Sequence, residues 1–149
     1  MNRKARRFMV ILAALSLIGP GLSWAQGRDE VAGMLDAGFS LLEQGKVDQA
    51  QKVYEEVLQK DPGQPLALNN LAAIMVKQGK YDQALGYLKQ ALCRAPGCKV
   101  ALNRVCDVDG VCAAYHLSQD QFGAEDLEAV IKSNILMLEM VRSSRRGAK

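Results

Sequence analysis

Between residues 47 and 92, apolar positions recur at three- and four-residue spacing. Val53, Val57 and Leu58 do so in one segment, and Leu85, Leu88 and Leu92 in another. That rhythm puts each set on one face of an α-helix and predicts helices that share a core. Polar punctuation separates them. Gly45-Lys46-Val47-Asp48 and Gly79-Lys80-Tyr81-Asp82 each divide one periodic stretch from the next. The glycine supplies the left-handed residue that ends a helix. Asp48 and Asp82 are expected to cap the helix that follows by accepting backbone N–H bonds. Pro62 and Pro96 then stop the second helix of each pair and turn the chain.

The C-terminal part is less regular. Cys98 to Val108 reads as a helix with Leu102 and Val105 facing inward, broken by Asp107-Val108-Asp109-Gly110. Val111 to Leu117 reads as a short helix, Ser118 to Gly123 as a loop. A long last helix is expected from about Ala124 to Ser143. Glu125, Asp126 and Glu128 suit its start; Arg142, Arg145 and Arg146 suit its end. Leu127, Val130, Ile131, Ile135, Leu138 and Val141 form one apolar stripe, and Leu136, Met137 and Met140 a second. A helix apolar nearly all round asks for burial on two sides.

The first 25 residues follow another logic. Arg3, Lys4, Arg6 and Arg7 open the chain, an apolar stretch runs from Phe8 to Ile18, and Ser23-Trp24-Ala25 offers a small-residue exit. These are the three parts of a secretory signal peptide, with cleavage expected after Ala25. The apolar run is shorter than the roughly 20 residues of a bilayer span. An uncleaved inner-membrane anchor is the alternative. No cysteine lies nearby for lipidation, and the flanks of Arg6-Arg7 fit a twin-arginine signal poorly, which favours the general secretory route.

Cleavage changes the charge balance. The chain has 19 basic and 16 acidic residues; the first 25 carry four basic and none acidic, which leaves 15 against 16. Nothing global then points to nucleic acid. The 124 residues that remain of 149 suit one domain.

Two segments match without a gap. Gly45 recurs as Gly79, Lys46 as Lys80, Asp48 as Asp82, Gln49 as Gln83 and Ala50 as Ala84; Leu58, Pro62 and Gly63 recur as Leu92, Pro96 and Gly97. The offset is 96 − 62 = 34 throughout. A 34-residue period with this content resembles the tetratricopeptide repeat. The unit Pro65–Cys98 carries Leu68, Leu71, Gly79, Tyr81, Ala84, Ala91 and Pro96 at the family's packing positions, with Ala72 for its usual Gly. The unit Val31–Gln64 has Gly38, Gly45, Ala50, Tyr54 and Pro62, and departs at Ala37 and Val57.

The resemblance implies an all-α fold: a short helical-repeat solenoid of two clear repeats, 31–64 and 65–98. Residues 99–143 supply a degenerate third unit with a capping helix, and 144–149 a basic disordered tail. It further implies a non-catalytic scaffold whose protein partner lies in a concave groove lined by the first helix of each unit. Carried over, the groove residues are Leu35, Phe39, Leu42 and Glu43, then Asn69, Ala73, Val76 and Lys77. Only Asn69 and Lys77 suit the family's clamp for a C-terminal carboxylate. An apolar groove with a polar edge fits an amphipathic helix or peptide, either a partner's or this chain's own Leu127–Val141 segment.

Candidate chemistry is sparse. Cys93, Cys98, Cys106 and Cys112 cluster where the repeat degenerates. In an exported protein they read as two disulfides, either Cys93–Cys98 with Cys106–Cys112 or Cys93–Cys106 with Cys98–Cys112. Cys112-x-x-x-His116 with Cys106 is the weaker metal reading. No C-x-x-C occurs, so a thioredoxin-type site or covalent haem has no support. His116 stands alone, without the nucleophile and acid of a triad. Asp107-x-Asp109-Gly110 lacks the later ligands of a calcium loop and reads as a turn. No phosphate-binding glycine loop appears, and no cofactor or metal is expected. The basic end at Arg142–Lys149 leaves contact with a membrane or an acidic partner open.

The expected function is a periplasmic or secreted interaction scaffold, accessory to a pilus, secretion or envelope assembly. The alternatives are a metal- or thiol-handling protein using the cysteines, and a homo-oligomer assembled through the last helix.

Overall fold

A computed structural model of the chain describes residues 21–97, 99–101, 105–108, 111–113, 116–117 and 124–147. The basic start and most of the expected signal peptide lie outside them. The chain divides into two compact units, residues 1–30 and 31–149. The first contributes the opening of helix α1 (Gly21–Glu43). The second holds everything described below.

Helices α2 (Val47–Lys60), α3 (Pro65–Lys77) and α4 (Tyr81–Leu92) follow α1 in close succession. The period survives in the elements. The ends of α1 and α3 differ by 77 − 43 = 34, and the starts of α2 and α4 by 81 − 47 = 34.

The turn within each unit is built the same way, atom for atom. Gly45 N donates to Leu42 O at 2.9 Å and Lys46 N to Leu41 O at 2.8 Å; Gly79 N donates to Val76 O at 2.9 Å and Lys80 N to Met75 O at 2.8 Å. This reciprocal pair satisfies the last carbonyls of the first helix. It requires a left-handed residue, and Gly45 and Gly79 have φ of 72° and 73°.

The caps differ from expectation. Lys46 and Lys80 occupy the N-cap positions of α2 and α4, with no side-chain cap bond. Asp48 and Asp82 sit two positions after the caps, in the first turn, where they favour the helix dipole. The side-chain cap falls on α3. Gln64 Oε1 accepts from Leu66 N at 2.6 Å and Ala67 N at 3.4 Å, with Pro65 at the start of the helix.

Equivalent positions build the core. Ala50 and Ala84, Tyr54 and Leu88, and Val57 and Ala91 are all fully buried. Ala50 and Ala84 are small enough to be enclosed completely. A Cβ built on Gly38 would lie 2.8 Å from two Tyr54 ring atoms. Gly38→Ala is therefore expected to cost about 1–3 kcal/mol of stability, measured by urea denaturation. An unchanged midpoint would mean that the ring has room to move.

After α4 the structure departs from the helices expected over Cys98–Val108 and Val111–Leu117. Short strands take their place: β1 (Lys99–Ala101), β2 (Val105–Val108), β3 (Val111–Ala113), β4 (His116–Leu117) and β5 (Ala124–Asp126). β1 pairs antiparallel with both β4 and β5, and β2 pairs antiparallel with β3. The reason is legible afterwards. The apolar runs are short and rich in β-branched valine, too short for periodicity to distinguish strand from helix. Val108 and Val111, either side of the expected helix break, are paired across β2 and β3.

Helix α5 (Leu127–Gly147) closes the described chain. It runs beyond the expected end at Ser143, so most of the supposed disordered tail is helical. Asp126 Oδ1 accepts from Glu128 N at 3.0 Å at its start. Leu127, Val130, Ile131 and Leu138 are buried in the core shared with the repeats. α3 packs on α2, and α5 packs on α4 in the corresponding way. α5 is thus the capping helix of the stack.

Candidate functional site

The eight expected groove residues all lie on α1 and α3, the first helices of the two units. The structure separates them into a closed part and an open part. Leu35, Phe39, Asn69 and Val76 are buried; Leu42 and Ala73 are half-buried; Glu43 and Lys77 are exposed.

Asn69 explains the closed part. It occupies the position that Leu35 holds one repeat earlier, 34 residues away, and it is fully buried. A buried amide needs partners. Asn134 on α5 donates from Nδ2 to Asn69 Oδ1 at 2.9 Å. Asn69 Nδ2 donates to Asn70 Oδ1 at 3.4 Å, and Asn70 Nδ2 donates to the Tyr54 hydroxyl at 3.0 Å. This chain of bonds joins α5, α3 and α2 through the core. Asn69 is occupied by the fold itself, which leaves the carboxylate clamp without its asparagine. Sequence reasoning missed Asn134, although a signal existed. It is the one amide set within the apolar stripe between Ile131 and Leu138.

A second element packs on α3 as well. The β2–β3 hairpin packs against α3, and β3 also packs against α5. The chain therefore brings its own segment onto the helix expected to receive a partner.

The open part lies toward the C-terminal ends of α1 and α3. Phe39 packs with Leu42 and Ala73 in a small apolar cluster beside the main core. Glu43 and Lys77 follow Leu42 and Val76 at the last residues of the two helices. The open part is thus Leu42 and Ala73, half-buried over the buried Phe39, with the exposed acid Glu43 and base Lys77 at the ends of the same helices.

Other surfaces are less concentrated. On α5, Leu136 and Met140 are 60% and 57% exposed, one helical turn apart. Arg142 of α5 pairs with Asp82, and the Arg145 guanidinium stacks over the Tyr81 ring at 4.6 Å. Both contacts tie the helix end to the start of α4. Lys132 bonds Glu128 at 2.6 Å on the outer face; that hydrogen bond and the carboxylate charge raise the lysine's pKa. Between α2 and α4 lies an open polar cleft lined by Gln51, Glu55, Lys80, Gln83, Tyr87 and Gln90. Among the described residues, no group of three His, Cys, Asp or Glu side chains is placed to hold a metal. Nor is any described helix long and apolar enough to cross a membrane.

Cys93 is exposed, its Sγ 3.4 Å from Lys89 O, and carries no disulfide in the structure. The Cys98 position and the His116, Cys106 and Cys112 side chains lie outside the described residues.

Comparison with known families identifies a tetratricopeptide repeat over residues 41–105. This span covers the end of α1, all of α2, α3 and α4, and the start of the strand region. Neither the curated proteins nor the solved structures yield a match. Modules of this kind bind other proteins and typically do no chemistry.

Proposed function

We propose that this chain, a tetratricopeptide-repeat protein through residues 41–105, is a non-catalytic interaction scaffold of the bacterial periplasm. Its partner is a protein, engaged by an amphipathic helix or peptide at the open end of the concave face. The observation that carries this reading is the apolar cluster of Phe39, Leu42 and Ala73 with exposed Glu43 and Lys77 at the ends of the same helices. An amphipathic segment can lay its apolar side on that cluster and match the two charges. An accessory role in a pilus, secretion or envelope assembly follows from compartment and family alone.

Export rests on the basic start, the apolar stretch and the Ser23-Trp24-Ala25 exit. Fractionation should find the chain in the periplasm, and intact mass should place its first residue at Gln26. An unprocessed chain in the cytosol would overturn the localisation.

The binding surface is tested by charge reversal, which spares the core. Glu43→Lys with Lys77→Glu should weaken retention of a partner from envelope extract by roughly tenfold, with the helical spectrum unchanged. Full retention by that variant would move the site elsewhere. Phe39→Glu is a poorer probe, because Phe39 is only 7% exposed and the change would disturb folding.

A further inference from the structure

We propose that Cys106 and Cys112 form a disulfide across the β2–β3 hairpin, locking the element that packs on α3. Cys106 and Cys112 are direct partners across the antiparallel pair, with the bonding pattern shifting between Cys106 and Val108. Opposed Cα atoms in antiparallel strands lie about 4.5 or 5.5 Å apart, depending on the type of pair. A disulfide accepts Cα separations of about 4.4–6.8 Å, so direct opposition puts the two backbones within its reach.

Two further observations narrow the pairing. Cys93, at the C-terminal end of α4, is exposed and carries no disulfide in the structure, whereas Cys106 and Cys112 already face each other in register. Only five residues separate Cys106 from Cys112, so the two meet as soon as the hairpin forms. The hairpin needs such a staple. Its strands are four and three residues long, and an isolated hairpin of that size is marginal in water. The hairpin so joined is the element that packs on α3 and α5.

The chemistry balances through disulfide exchange. The thiolate of one cysteine attacks a disulfide-bearing oxidant and forms a mixed disulfide, releasing one thiol. The second cysteine's thiolate attacks that bond and releases the other thiol. The protein loses two hydrogens, and the oxidant's disulfide becomes two thiols. In the cell this step rests on the export proposed above; in the test tube it does not.

The purified full chain is reduced, then oxidised with glutathione disulfide. Asp107 and Asp109 lie between the two cysteines, and Arg94, Lys99 and Arg104 separate Cys93, Cys98 and Cys106, so trypsin together with a protease that cuts before aspartate puts each cysteine on its own peptide unless a disulfide joins them. The expected result is a linked pair of peptides carrying Cys106 and Cys112, with titratable thiols falling from four to two. Cys106→Ser and Cys112→Ser should each abolish the link and leave three thiols. Unlinked peptides, or a link from either cysteine to Cys93 or Cys98, would overturn the proposal. A second arm alkylates thiols at lysis in the native host. The same link in that sample supports both the staple and export. A link formed only with glutathione disulfide keeps the pairing and counts against export.

Discussion

Tyr54→Ala is expected to lower the unfolding free energy by about 3–5 kcal/mol, the range for truncating a buried aromatic. Tyr54 is fully buried, its ring lies against Gly38, and its hydroxyl accepts from Asn70 at 3.0 Å. Removing the ring opens a void between α1 and α2 that the rigid Gly38 backbone cannot fill. It also takes away the acceptor at one end of the asparagine chain. Tyr54→Phe separates the two effects, since it keeps the ring and deletes only the hydroxyl. It should cost about 1–3 kcal/mol, for an amide donor left without that acceptor. Urea denaturation followed by helical circular dichroism measures both. Equal losses for the two variants would mean that packing against Gly38 contributes little.

The second large effect concerns α5. Ile131→Asp should cost about 4 kcal/mol or more, because it places an unpaired charge at a fully buried position. Leu136→Asp, five residues along the same helix but 60% exposed, should stay within about 0.5 kcal/mol. The contrast tests the helix's rotational phase directly. If both substitutions proved equally mild, α5 would not be docked on the repeats through the face of Leu127, Ile131 and Leu138. If Leu136→Asp were the damaging one, that outer face would be covered by a second copy or a partner.

These two sites show different degrees of legibility. Tyr54 was readable, because the 34-residue register names it as the counterpart of Leu88 and both are buried. The phase of α5 was half readable. The stripe of Leu127, Val130, Ile131 and Leu138 is the buried one, but sequence could not tell whether Leu136 and Met140 were covered too. The groove was readable only as a list of positions. Periodicity named Leu35, Phe39, Asn69 and Val76 as its lining without showing that the fold itself buries them.

What the sequence determined alone is everything local and periodic. The two helix pairs follow from apolar spacing and from Gly45 and Gly79, whose left-handed backbone is a property of the residue and needs no distant partner. What only the tertiary structure decided is long-range. Asn69 becomes a core residue because Asn134, 65 positions later, bonds to it. The valine-rich stretch after α4 becomes strands because strands complete their hydrogen bonds on neighbours: β1 needs both β4 and β5. A helix closes its backbone bonds within itself and can be read from its own residues, whereas a strand or a buried amide is satisfied from elsewhere in the chain.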